Sequence, residues 1–203
     1  MKAIKRPDGY RSRRYILKGD TPLLEVELIA QGSDWQRILD RPAAPEQNKD
    51  RLVKWELAAG LRVSYVEDSA LQCAYIIITS WLGAQEVETA AAVFEVHPKI
   101  FRFQELIAAV DSADNTETKA LAIARAGLGS PLEPQDDFVE RITGAAREQD
   151  PILREGALWA ITYTEWNLFN PLVQDMADND PDEFVRGLAV RVLDVIDKLR
   201  LET

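Results

Sequence analysis

At 203 residues, with 46% hydrophobic and 29% charged side chains, the chain is long enough to bury a substantial core and too apolar to remain disordered. Its net charge of −10 disfavours a body built to bind nucleic acid, whose phosphates call for a positive surface. The single cysteine, Cys73, excludes an intramolecular disulfide, and the single histidine, His97, leaves little for a metal centre.

The charge is unevenly spread. Residues 1–18 hold seven Lys and Arg against Asp8, a net +6, which leaves −16 for the remainder. Residues 1–19 therefore read as a basic N-terminal arm, with Tyr10 and Tyr15 in it, that tethers to an anionic surface or RNA, folds back on the acidic body, or frays. A nucleic-acid role would have to rest on this segment alone. The opening MKAIKRPDGY lacks an apolar core of signal-peptide length, and no window approaches a membrane span. The expectation is a soluble cytoplasmic protein with no membrane partner.

Residues 20–82 read as an α/β segment. Thr21-Pro22 opens a helix that ends at Gly32. Ser33-Asp34-Trp35-Gln36 has the spacing of a capping box and predicts a second short helix stopping before Pro42, with a loop over 42–50. Val53, Trp55 and Leu57 then alternate with charged residues, as do Leu61, Val63 and Tyr65, which is the period of a half-buried strand. Cys73 to Ile78 is apolar on both faces and predicts the best-buried strand. Together they form a three-stranded antiparallel meander over 52–79, which needs helical cover.

From residue 83 onward the pattern is helical. Three blocks repeat: Phe103-Gln104-Glu105-Leu106-Ile107, Phe138-Val139-Glu140-Arg141-Ile142 and Phe169-Asn170-Pro171-Leu172-Val173. Each is followed, 16 or 17 residues on, by a basic residue with alanine three places later, namely Lys119/Ala122, Arg154/Ala157 and Arg186/Ala189. The phenylalanines are 35 and 31 residues apart, a period that marks stacked two-helix units. Asp150-Pro151 and Asp180-Pro181 set helix starts, a capping carboxylate followed by a first-turn proline.

Asp150, Pro151, Arg154 and Ala157, and then Asp180, Pro181, Arg186 and Ala189, resemble the second helix of a HEAT-like repeat. The first unit departs from that pattern, with Lys119 for Arg and Asn115-Thr116 for Asp-Pro. The resemblance covers residues 101–203; residues 1–82 match no family. It implies protein–protein binding, and local or next-unit bonding for the Asp and Arg. Some small bacterial HEAT-like proteins resemble chromophore or cofactor lyases or their chaperones, which is the enzymatic alternative. The expected fold is thus mainly α, a short helical solenoid of HEAT-like repeats over 83–203 capped by the α/β segment.

The sequence offers no candidate catalytic residue, cofactor site or metal site. Cys73 sits in an apolar strand run, where a reactive thiolate is disfavoured, and His97 precedes a proline at a helix end. Asp178-Asn179-Asp180-Pro181-Asp182 imitates a calcium loop but has Glu183 for the turn glycine and Ala189 for the bidentate Glu. No phosphate loop, dinucleotide fingerprint or nucleophile elbow occurs.

Trp159, Tyr163 and Trp166 stand at i, i+4 and i+7 on one helix, off its Leu153/Ala157/Ala160 stripe. They either pack an adjacent repeat or form an exposed anchor patch, and Trp and Tyr dominate binding hot spots. Glu165, Asp175 and Asp178 would then form an acidic rim. The functional expectation is an adaptor or regulator that binds a basic partner protein through these residues. The alternatives are an immunity or inhibitor protein neutralising a basic toxin, and the lyase or chaperone.

Overall fold

In the computed structural model, which describes residues 3–47 and 49–201 (side chains only through 198), the chain divides into two units, 1–101 and 102–203. Lys2 of the expected arm, Asn48 of the expected loop and the side chains of Leu199 and Arg200 lie outside the described residues.

The first unit is built on period-2 alternation. β1 (Ile4–Arg6), β2 (Gly9–Arg11), β3 (Tyr15–Ile16), β4 (Gln36–Arg41), β5 (Arg51–Ala58), β6 (Leu61–Asp68) and β7 (Cys73–Ser80) form one antiparallel sheet. Its order is β1-β2-β7-β6-β5-β4, with β3 also on β7. Register puts Val53 opposite Tyr65, Tyr65 opposite Ile76, and Ile76 opposite Tyr15. This row is fully buried across four strands. It packs beneath α1 (Pro22–Gly32) and α2 (Ala84–Val96) through Val26, Ala30, Val87, Ala91 and Phe94. Each large side chain buried this way contributes about 1.5–3 kcal/mol.

Two expectations are corrected here. The architecture is not a helical solenoid with a small meander attached, because half the chain is organised around a seven-stranded sheet in which β5–β7 are only part. Helix α2 belongs to that sheet unit, so the helical pairs begin at residue 102 rather than 83. Residues 3–19 fold into the sheet unit: they supply three strands, and Tyr15 is completely buried. Within it, the buried Arg13 donates from Nε and Nη2 to the two Glu95 oxygens, both at 3.1 Å, and the Tyr15 hydroxyl donates to Oε1 at 2.9 Å. Burial pushes the Glu95 carboxyl up, but Arg13 and the Tyr15 hydroxyl outweigh it and hold its pKa below the usual value.

The predicted helix after Ser33 is strand β4. Asp34 takes a left-handed φ of 53°, which turns the chain onto β5, and ladder pairing then overrides the local capping signal. Ile38 is an extra residue between Arg37 and Leu39 in the register, a bulge of the sort that guards an exposed sheet edge. In β7, Ala74, Ile76, Ile78 and Ser80 are buried while Cys73, Tyr75, Ile77 and Thr79 are half-buried, so the strand is not equally covered on both faces.

Among the described residues, the second unit has six α-helices that contact one another in pairs: α3 (Phe103–Asp111) with α4 (Thr116–Leu128), α5 (Asp136–Ala146) with α6 (Pro151–Thr164), and α7 (Asn170–Asn179) with α8 (Glu183–Leu201). The second helices pack on one another, α4 on α6 and α6 on α8. The α4–α6 contact is backbone-close, since a Cβ on Gly127 would lie 2.3 Å from Ala160 Cα and one on Gly156 would lie 2.8 Å from the Ala120 carbonyl oxygen. The repeated phenylalanines, two on first helices and Phe169 just before α7, form one aromatic series. Phe103 is edge-on to Phe138 at 5.8 Å, and Trp166 bridges Phe138 (6.5 Å) to Phe169 (6.0 Å).

Candidate protein-binding groove

The residues after α5 and before α8 create an open groove of about 830 Å³ in the second unit. One wall is the end of α5 and its connection to α6, carrying Thr143, Arg147 and Glu148; the other is α7, carrying Asp175 and Asn179. The floor is apolar, from Ala146, Leu168, Phe169, Leu172 and Met176. Phe169 and Met176 are buried, Leu172 is half-buried and Leu168 is 44% exposed, so the floor offers apolar surface to a ligand.

One end of the groove is held by charge. Arg154 on α6 donates to both Asp180 oxygens at 2.8 Å, and its Nη1 donates to the carbonyls of Glu148 (3.0 Å) and Gln149 (2.7 Å). Asp180 also accepts from the Asp182 N–H, and Arg186 donates to the Asp180 carbonyl. Burial by itself raises the Asp180 carboxyl, but the Arg154 hydrogen bonds, the Asp182 N–H and the charges of Arg154 and Arg186 leave its pKa below the ordinary value. Hydrogen bonding to Asp180 raises Arg154 in turn. The i, i+4 spacing from Asp150 to Arg154 is not used as an ion pair. Asp150 caps α6 by accepting from the Ile152 N–H, and Arg154 reaches across to the next helical pair instead. Asp182, not Asp180, caps α8, accepting from the Phe184 and Val185 N–H groups.

The structure scatters the expected partner-binding set. Asp175 lines the groove, and its Oδ1 accepts from Asn179. Asp178 is exposed on the same helix and accepts from Gln174. Trp159 is 37% exposed and donates from Nε1 to Glu155, but it does not line the groove. Tyr163 and Glu165 are half-buried. Glu165 has the left-handed φ of 57° that ends α6. Trp166 is only 5% exposed, with its Nε1 donating to the Leu132 carbonyl, so it is a core ring and not a surface anchor. The left-handed turn takes it off the helix and out of the expected i+7 position.

Sequence reading missed Arg147, Glu148, Leu168 and Leu172 as groove residues. The only signal for them was Leu168 standing apolar between Asn167 and Phe169 in a helix–helix connection. Cys73 and His97 are both half-buried, and His97 Nδ1 accepts from the Lys99 N–H. Among the described residues, no group of His, Cys, Asp and Glu is placed to hold a metal ion, and no helix is long and apolar enough to cross a membrane. No family model, curated protein or solved structure matches this chain.

Proposed function

We propose that the helical unit is a protein–protein interaction module, an adaptor or regulator, that binds a basic partner. The carrying observation is the segregation of charge. Residues 102–203 hold 20 Asp and Glu against 10 Lys and Arg, whereas residues 1–101 hold 14 of each, so the whole net charge of −10 belongs to the helical unit. A net negative unit of that kind attracts oppositely charged partners and disfavours like-charged ones. The HEAT-like reading of residues 101–203 gains support from helices that pair in chain order and from the phenylalanines that follow the sequence repeat. One cysteine and no disulfide fit a reducing compartment such as the cytoplasm.

The test is capture from the native source by the full-length protein across a salt gradient, with Asp175→Lys/Asp178→Lys in parallel. The expected catch is rich in basic proteins, released by salt and lost in the double variant. Identical, salt-insensitive catches from both proteins would remove the basic-partner reading.

A further inference from the structure

We infer that the α5–α7 groove takes a partner segment in which one bulky apolar side chain lies between two cationic ones. This rests on the basic-partner reading and adds what the groove itself selects. The floor of Leu168, Leu172 and Met176 supplies an apolar seat, and a cavity of about 830 Å³ holds a few side chains, not a folded domain. Carboxylates stand on both walls, Glu148 on the α5–α6 connection and Asp175 on α7, so a cation on either side of the apolar anchor meets an acid. Two other charges in the lining are already spent, because Arg154 and Asp180 neutralise each other at 2.8 Å.

Among the described residues, Arg147 is the one uncommitted cation in the lining, and it is exposed. Its place beside Glu148 weakens the attraction on that wall, which makes Asp175 the stronger of the two contacts and gives Arg147 a restraining role. Segments with acidic flanks are disfavoured by both walls. Segments with cations but no apolar residue leave the floor in water.

A random short-peptide library displayed on phage and selected against the full-length protein tests this, followed by titration of a synthetic peptide of the enriched consensus. The expected consensus is an aromatic or long aliphatic residue with Lys or Arg on both sides. Asp175→Lys weakens the peptide by about tenfold and Arg147→Glu tightens it roughly threefold. Leu172→Asp removes binding, and all three variants keep the wild-type melting temperature. An acidic or purely apolar consensus, or no enrichment at all, overturns the inference. A basic consensus that still binds Leu172→Asp also overturns it, while leaving intact the reading of the helical unit as a basic-partner module. If no basic sequence binds anywhere on the protein, both fall together.

Discussion

Arg154 and Asp180, 26 residues apart in the chain, join two successive helical pairs through a two-pronged bond with both N–O separations at 2.8 Å. Their side chains are 7% and 3% exposed, so neither charge has water to fall back on. The same Arg154 holds the Glu148 and Gln149 carbonyls, which places the groove wall that carries Glu148.

Asp180→Ala strands the Arg154 charge in the interior, and breaking a buried pair from one side costs about 3–5 kcal/mol. Urea denaturation followed by circular dichroism should show a midpoint far below wild type with an unchanged slope. A change under about 0.5 kcal/mol, typical of a surface site, would mean the pair is not buried in solution.

The same contact predicts an acid limb. The Asp180 pKa is lowered in the folded state from its ordinary 3.8, so the unfolded chain binds more protons in that window. The stabilisation is present above the unfolded value and is lost as pH falls through the folded one. Denaturation midpoints measured from about pH 6 to pH 3 should therefore drop on acidification, and Asp180→Asn should flatten that drop. Parallel acid limbs in the two proteins would assign the effect to other carboxylates.

Two glycines should respond oppositely to alanine. Gly127→Ala forces a methyl into Ala160 at the α4–α6 contact and should cost about 1–3 kcal/mol, because the obstacle is backbone. Gly144 lies within α5 with nothing within 4 Å of an added Cβ, so Gly144→Ala should gain about 0.5–1 kcal/mol. Thermal melts of the two variants should bracket the wild type.

The two tryptophans separate in the same way. Trp166→Ala removes a core ring lying against Phe138 and Phe169 and should cost about 3–5 kcal/mol. Trp159→Ala should stay within about 1 kcal/mol of wild type, since it loses one exposed bond to Glu155. Iodide quenching of the tryptophan fluorescence should fall in Trp159→Ala and rise in Trp166→Ala.

Removing residues 1–18 takes out β1–β3 and the Tyr15 ring from beneath α2. The β7 amides that pair with those strands should then exchange with deuterium as fast as loop amides. A truncated protein with wild-type protection in β7 would mean that the segment does not pair with β7 in solution.

What the sequence alone determined lies at short range. The alternation in 53–57 and 61–65 reads directly as β5 and β6, because adjacent side chains in a strand point to opposite faces. Pro22 and Asp150-Pro151 mark helix starts because capping is settled within one turn. Where the deciding partner was distant, the same reasoning failed. For residues 1–19 the basic run left a tether and a folded-back segment both open, since Glu95 on α2 and the β7 edge cannot be seen from position 13. Ser33 to Gln36 carried a helix signal worth a few tenths to about 2 kcal/mol, which pairing along β5 outweighed. The aromatic triplet broke at Glu165, whose left-handed turn moved Trp166 into the phenylalanine series, and the groove arose only when residues of α5, the α5–α6 connection and α7 came to line one space. Local geometry is written in neighbouring residues. Which of them meet water is decided by contacts 26 to 85 residues away, and only the folded chain supplies those.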